Sequence, residues 1–129
     1  MLSIRNTTRS RPRISFEKIS DGILGSRYNL SLVLIADYLA RRLNREHKGK
    51  DTPTNVLSFP IAKDEGEIFL NIRRAKRDAK NFGHSEKEHL AFLFIHGCLH
   101  LKGHKHGTPM EILEKKYLKK YLERIVVHA

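Results

Sequence analysis

Ser85 to Gly107 reads SEKEHLAFLFIHGCLHLKGHKHG, and this stretch decides what kind of fold the chain can adopt. Ser85 followed three residues later by Glu88 is a capping-box pattern, in which each side chain satisfies a backbone N–H that a helix start leaves without a partner. From Leu90 to Leu101 the residues are apolar nearly all round, through Ala91, Phe92, Leu93, Phe94, Ile95, Cys98 and Leu99. A helix of that pattern belongs in the core, so the rest of the chain must supply elements that cover it. Gly103 is placed to end the helix in a left-handed conformation and fold the chain back.

Four of the chain's eight histidines lie between His96 and His106. His96 and His100 share one helix face one turn apart, so both side chains can point at a common site, and a reversal at Gly103 brings His106 toward them. Zinc takes imidazole nitrogens readily, and a catalytic zinc uses three protein ligands and keeps a fourth position open. The spacing His96-x3-His100-x5-His106 therefore predicts one Zn2+ per chain, held by His96, His100 and His106. Such an ion activates water near neutral pH and polarises the oxygen under attack, which is hydrolase chemistry. An isolated histidine on a helix is ordinarily a satisfied core or surface residue. Two unpaired imidazoles on one face of a buried helix would be costly, which favours the metal.

The other candidates rank lower. His104 also follows His100 by four, but as a ligand it would need the helix to run through Gly103. His89 sits near the polar start of the helix and reads as structural or solvent-facing. Cys98 points about 200° away from His96 at helical spacing and reads as core.

Outward from this helix the order of elements is mixed. Leu2 to Arg5 is a short strand candidate, Ser15 to Leu24 has helical spacing, and Tyr28 to Ile35 reads as a buried strand. Asp37 is a candidate N-cap for a short helix through Leu39 and Leu43, and Gly49 and Pro53 mark a loop. Asn55 to Phe59 reads as a strand stopped by Pro60, and Gly66 to Asn71 as another. A helix follows with Ile72, Ala75, Ala79 and Phe82 on its buried face, closed by Gly83. The last helix, Pro109 to about Val126, is expected to pack through Ile112, Leu113, Tyr117, Leu118 and Tyr121. The expected fold class is α/β (α+β): a small mixed sheet of about four strands covered by helices, the central one buried and carrying the histidines.

At 129 residues the chain is expected to form a single domain, residues 1–129, with a core that needs no disulfide. The lone Cys98 cannot form an intramolecular bridge. The basic first twenty residues contain no apolar signal core, and runs such as Leu32 to Ala36 are far too short to cross a bilayer. The expectation is a cytoplasmic protein with no membrane partner. Lysine and arginine number 25 against 14 acidic residues, leaving +11, and a field of that sign attracts polyanions. Nucleic acid is therefore the leading class of partner.

The zinc-peptidase pattern H-E-x-x-H-x-x-G-x-x-H shares this histidine and glycine spacing. Here Gly97 stands where the general-base glutamate would be. Without that carboxylate the peptidase route lacks its proton acceptor, which moves the weight to phosphodiester cleavage.

Three blocks then carry a family resemblance. HGCLHLKGHKH from His96 to His106 is similar to H-G-x-L-H-L-x-G-Y-D-H. PTNVLSFP from Pro53 to Pro60 is similar to P-T-[DN]-V-L-S-F-P, and Gly66-Glu67-Ile68 followed by Phe69-Leu70 to a G-D-I strand. In their order and distances these blocks resemble the YbeY family of bacterial zinc-dependent endoribonucleases. The resemblance implies cleavage of single-stranded RNA in maturation of the small-subunit (16S) rRNA 3′ end and in ribosome quality control, with the ribosome or its small subunit as partner. It assigns the zinc to His96, His100 and His106. The family's Y-R-G-x-D arginine corresponds to Lys48, in HKGKD from His47 to Asp51, as the catalytic residue that meets phosphate. Lysine keeps the charge but loses the bidentate fork. His104-Lys105 replaces the family's Tyr-Asp pair, and with it a carboxylate able to orient a ligand. Asn55, Ser58 and Glu67 are polar candidates for substrate contact or for capping. The alternatives are a non-catalytic ribosome-associated zinc protein and another zinc metallohydrolase.

Overall fold

The computed structural model describes residues 1–52 and 54–127, with side chains up to residue 122. Pro53, expected to mark a loop, lies outside the described residues. In chain order the elements are β1 (Leu2–Asn6), α1 (Phe16–Leu24), β2 (Asn29–Ile35), α2 (Asp37–Lys48), β3 (Val56–Ala62), β4 (Glu65–Asn71), α3 (Ile72–Asp78) with a 3-10 turn (Ala79–Phe82), α4 (Glu86–Leu101) and α5 (Thr108–Val127). The sheet runs β1-β2-β4-β3, with β1 and β4 parallel to β2 and β3 antiparallel to β4. The expected mixed sheet covered by helices is the one observed.

β2 lies between β1 and β4 with helices covering both its faces, and its half from Leu32 to Ile35 is accordingly an unbroken apolar run. Leu30, Leu32 and Leu34 point into the main core, while Val33 and Ile35 form a second, smaller cluster with Ala40 of α2. The sheet is thus a layer between α2 on one side and the remaining helices on the other. On that second side α4 packs against α1, α3, α5, β3 and β4. Phe94, fully buried, meets Phe16 of α1 edge-on at 4.9 Å between ring centroids. The capping box at Ser85 and Glu88 is formed as the sequence predicts.

One glycine lets α4 approach the sheet. A Cβ built on Gly97 would stand 3.0 Å from Ser58 Oγ, 3.1 Å from Ile68 Cδ1 and 3.3 Å from Val56 Cγ2. The position that would hold a peptidase's glutamate is therefore the contact between α4 and strands β3 and β4, and Ser58 Oγ donates to the Gly97 carbonyl at 3.2 Å.

Four local expectations are corrected. Ala36 is the N-cap of α2, and Asp37 enters the first turn. There its carboxylate accepts both guanidinium nitrogens of Arg77 at 2.7 and 3.1 Å and the Asn71 side-chain amide at 3.0 Å. Pro60 does not stop β3, which continues to Ala62. The strand is at the sheet edge and its register shifts beside Pro60, so no ladder donor is needed there. Phe82 leaves the buried face because the 3-10 turn adds about 20° per residue to the helical rotation, and the ring is 57% exposed. Ile112 is 61% exposed, since α5 buries Met110, Glu114 and Tyr121 and Ile112 lies about 200° round from Met110.

Candidate metal centre

The last two turns of α4 carry His96 and His100. Beyond it Gly103, at φ +105°, takes a backbone conformation that a side chain would strain, and the chain folds back over the helix end. That reversal delivers His106 to the first two rings, with centroids 5.1 Å from His96 and 4.5 Å from His100. One ligand atom from each of the three lies within 4.8 Å of the others, with His96 and His100 half-buried and His106 exposed. The ring of His104 is not part of the group.

The hydrogen bonds around these rings set their tautomers. His96 Nδ1 lies 3.2 Å from Glu114 Oε2, and a carboxylate only accepts, so that nitrogen carries the proton. His100 Nδ1 likewise donates to the His104 carbonyl at 3.0 Å. Both Nε2 atoms are then left with lone pairs, and they face each other at 3.0 Å. With Nδ1 of each ring already engaged, that approach is favourable when a positive charge, a proton or a metal ion, is shared between the two nitrogens. Burial, and then the neighbouring His96, push the His100 pKa down, which favours the neutral imidazole that ligates metals. The donor set fits a borderline-soft divalent ion such as zinc.

Glu114 is 6% exposed and projects from the apolar face of α5. Its carboxylate orients the His96 ring, and it escapes a reading of the histidine stretch because it lies on another helix. Its one sequence signal is an acid in register with Met110, Tyr117 and Tyr121.

A cleft of about 670 Å³ opens beside the histidines, lined by His96, His106, Glu111, Glu114, Lys115 and Asn55, and by an apolar wall that includes Phe82, His84 and Phe92. Asn55 is thus brought to the site, whereas Ser58 serves the α4 contact. Lys48 ends α2, exposed, and lies outside the described lining of this cleft. The loop after it is held against α2 by Asp51, which accepts from Arg41 at 2.9 and 3.0 Å, and by Asn44, whose amide donates to the Thr52 carbonyl at 2.9 Å. Cys98 is fully buried and its thiol is pushed up by burial, as a core residue's should be. His89 is also fully buried and structural, with its Nδ1 3.1 Å from that of His84. No helix among the described residues is long and apolar enough to cross a membrane.

Residues 8–127 match the model of a family described as Endoribonuclease YbeY. A protein named Endoribonuclease YbeY from Carboxydothermus hydrogenoformans is 41% identical over 87 residues, covering 64% of this chain and 61% of that protein. One of the same name from Phytoplasma mali is 34% identical over 127 residues, covering 92% of this chain and 82% of its own. The matched part is thus less than two thirds of the first relative's length and about four fifths of the second's. The solution structure of a protein from Thermotoga maritima superposes with a TM-score of 0.74 at 23% identity, covering 99% of this chain and 93% of that one, and so shares the fold.

Proposed function

The chain belongs to the YbeY endoribonuclease family, and on that premise we propose that it cleaves single-stranded RNA at a zinc centre held by His96, His100 and His106. The reaction is endonucleolytic hydrolysis of RNA in ribosomal RNA maturation, specifically at the small-subunit 3′ end and in ribosome quality control. Residues 1–129 act as one nuclease domain in the cytoplasm, with the small ribosomal subunit as partner.

The observation that carries the zinc reading is the convergence of one ring nitrogen from each of His96, His100 and His106 within 4.8 Å, with the Nδ1 atoms of His96 and His100 already engaged elsewhere. When bound, zinc supplies Lewis acidity and activates water near neutral pH. The chain's own residues do the rest. Glu114 and the His104 carbonyl hold the Nδ1 protons and fix ring orientation. Asn55 presents a neutral amide to the substrate beside His96. Lys48 offsets phosphate charge as a point cation at the end of α2. Gly97 offers no general base, and its backbone faces Ser58, which favours a phosphodiester over a peptide.

Elemental analysis of the purified chain beside His100→Ala, with both assayed on a single-stranded RNA oligonucleotide, tests this. About one zinc per chain and RNA cleavage should vanish together. Loss of zinc with cleavage unchanged would leave the histidine stretch a structural metal site.

A further inference from the structure

Part of the cleft wall is aromatic. Phe82, His84 and Phe92 line the same cleft as His96 and His106. Phe82 packs on the ring of buried His89 at 4.7 Å between centroids and lies 5.9 Å from Phe92, yet it remains 57% exposed. A phenylalanine braced by neighbouring rings, His84 among them at 5.9 Å, yet more than half exposed and lining the same cleft as the histidines, is a surface of the kind that receives a planar ring. The cleft also contains the carboxylates of Glu111 and Glu114 against the single ammonium of Lys115, so away from the histidines an uncharged base fits it better than a second phosphate.

Resting on the endoribonuclease reading, we propose that Phe82, flanked by Phe92 and His84, is a stacking platform for one nucleobase of the RNA strand engaged at the histidine centre. Single-stranded RNA offers splayed bases to aromatic side chains, and every base has a π-face, so the contact positions the strand with little sequence preference. It also accounts for selection of unpaired RNA, because a base inside a duplex cannot reach the ring. Phe82 is a positioning residue: it touches the substrate away from the reacting phosphate.

Two measurements on the zinc-loaded full chain test the platform. Replacing Phe82 by leucine keeps an apolar side chain but removes the π-face, and Phe82→Trp restores one. Phe82→Leu should raise KM for a short single-stranded RNA about 5- to 30-fold with kcat unchanged, and Phe82→Trp should return KM to the parent value. Binding by fluorescence anisotropy to a set of oligonucleotides, each with one abasic position, should show one position that weakens the parent protein by a similar factor and leaves Phe82→Leu unaffected. An unchanged KM in Phe82→Leu, or abasic penalties equal in parent and variant, would overturn the platform and leave the endoribonuclease reading intact. A parent protein that neither binds nor cleaves RNA would overturn both.

Discussion

His96 Nδ1 and Glu114 Oε2 stand 3.2 Å apart across the interface of α4 and α5, joining the histidine centre to the last helix. Glu114 to Gln keeps the shape but replaces a charged acceptor by a neutral one. Supporting groups of this kind are worth about 10- to 100-fold in metal affinity. Zinc affinity, read by competition with a chelator, should fall about tenfold in Glu114→Gln and further in Glu114→Ala. Equal affinities in all three proteins would show that the contact does not tune the site.

Gly97→Ala sets two effects against each other. Alanine improves helix propensity by about 1 kcal/mol, but overpacking a tight core contact costs about 1–3 kcal/mol. The Cβ would meet Ile68, which is fully buried, at 3.1 Å and Ser58 at 3.0 Å, so the clash should win. The expected outcome in thermal unfolding is a lower Tm, by about 4 °C per kcal/mol. Gly97→Glu should lose far more and gain no peptidase activity. A Tm at or above the parent's in Gly97→Ala would contradict the close approach.

Acid should act on the link between α2 and α3. The Arg77 guanidinium hydrogen-bonded to Asp37 holds its carboxyl below the usual range, with the Asn71 amide adding to this and burial opposing it. A depressed folded-state pKa contributes stability that is present above the unfolded value of about 3.9 and is lost as pH falls through the folded value. Asp37→Asn should therefore lower stability at neutral pH and flatten its decline below about pH 4, measured as denaturation midpoints across pH. An unchanged decline would place the acid-sensitive group elsewhere.

Lys48 and an arginine at its position differ in geometry more than in charge. Lys48→Ala should weaken RNA binding and reduce its salt dependence by about one counterion, while Lys48→Arg should bind at least as tightly as the parent. Titrations at several salt concentrations decide it. Binding unaffected by either change would remove Lys48 from the substrate path.

What could be read from the chain alone was whatever depends on near neighbours in sequence. The capping box, the apolar helix, the chain reversal at Gly103 and the meeting of His96, His100 and His106 all lie within about twenty residues, where helix geometry fixes who faces whom. The motif blocks and the basic balance likewise point to a metal and an RNA without reference to any tertiary contact. Tertiary structure decided the rest. Glu114 becomes a partner of His96 only because α5 packs on α4, and Pro60 is tolerated only because β3 takes the edge of the sheet. Asp37 gives up the cap because Arg77, forty residues away, offers it a bidentate partner. Phe82 faces the cleft because a tightened turn rotates it off the core. Spacing along a helix is local geometry, written directly into sequence. Which polar group answers another across a packed interface depends on where whole elements settle when they bury their apolar faces together, and no local pattern carries that.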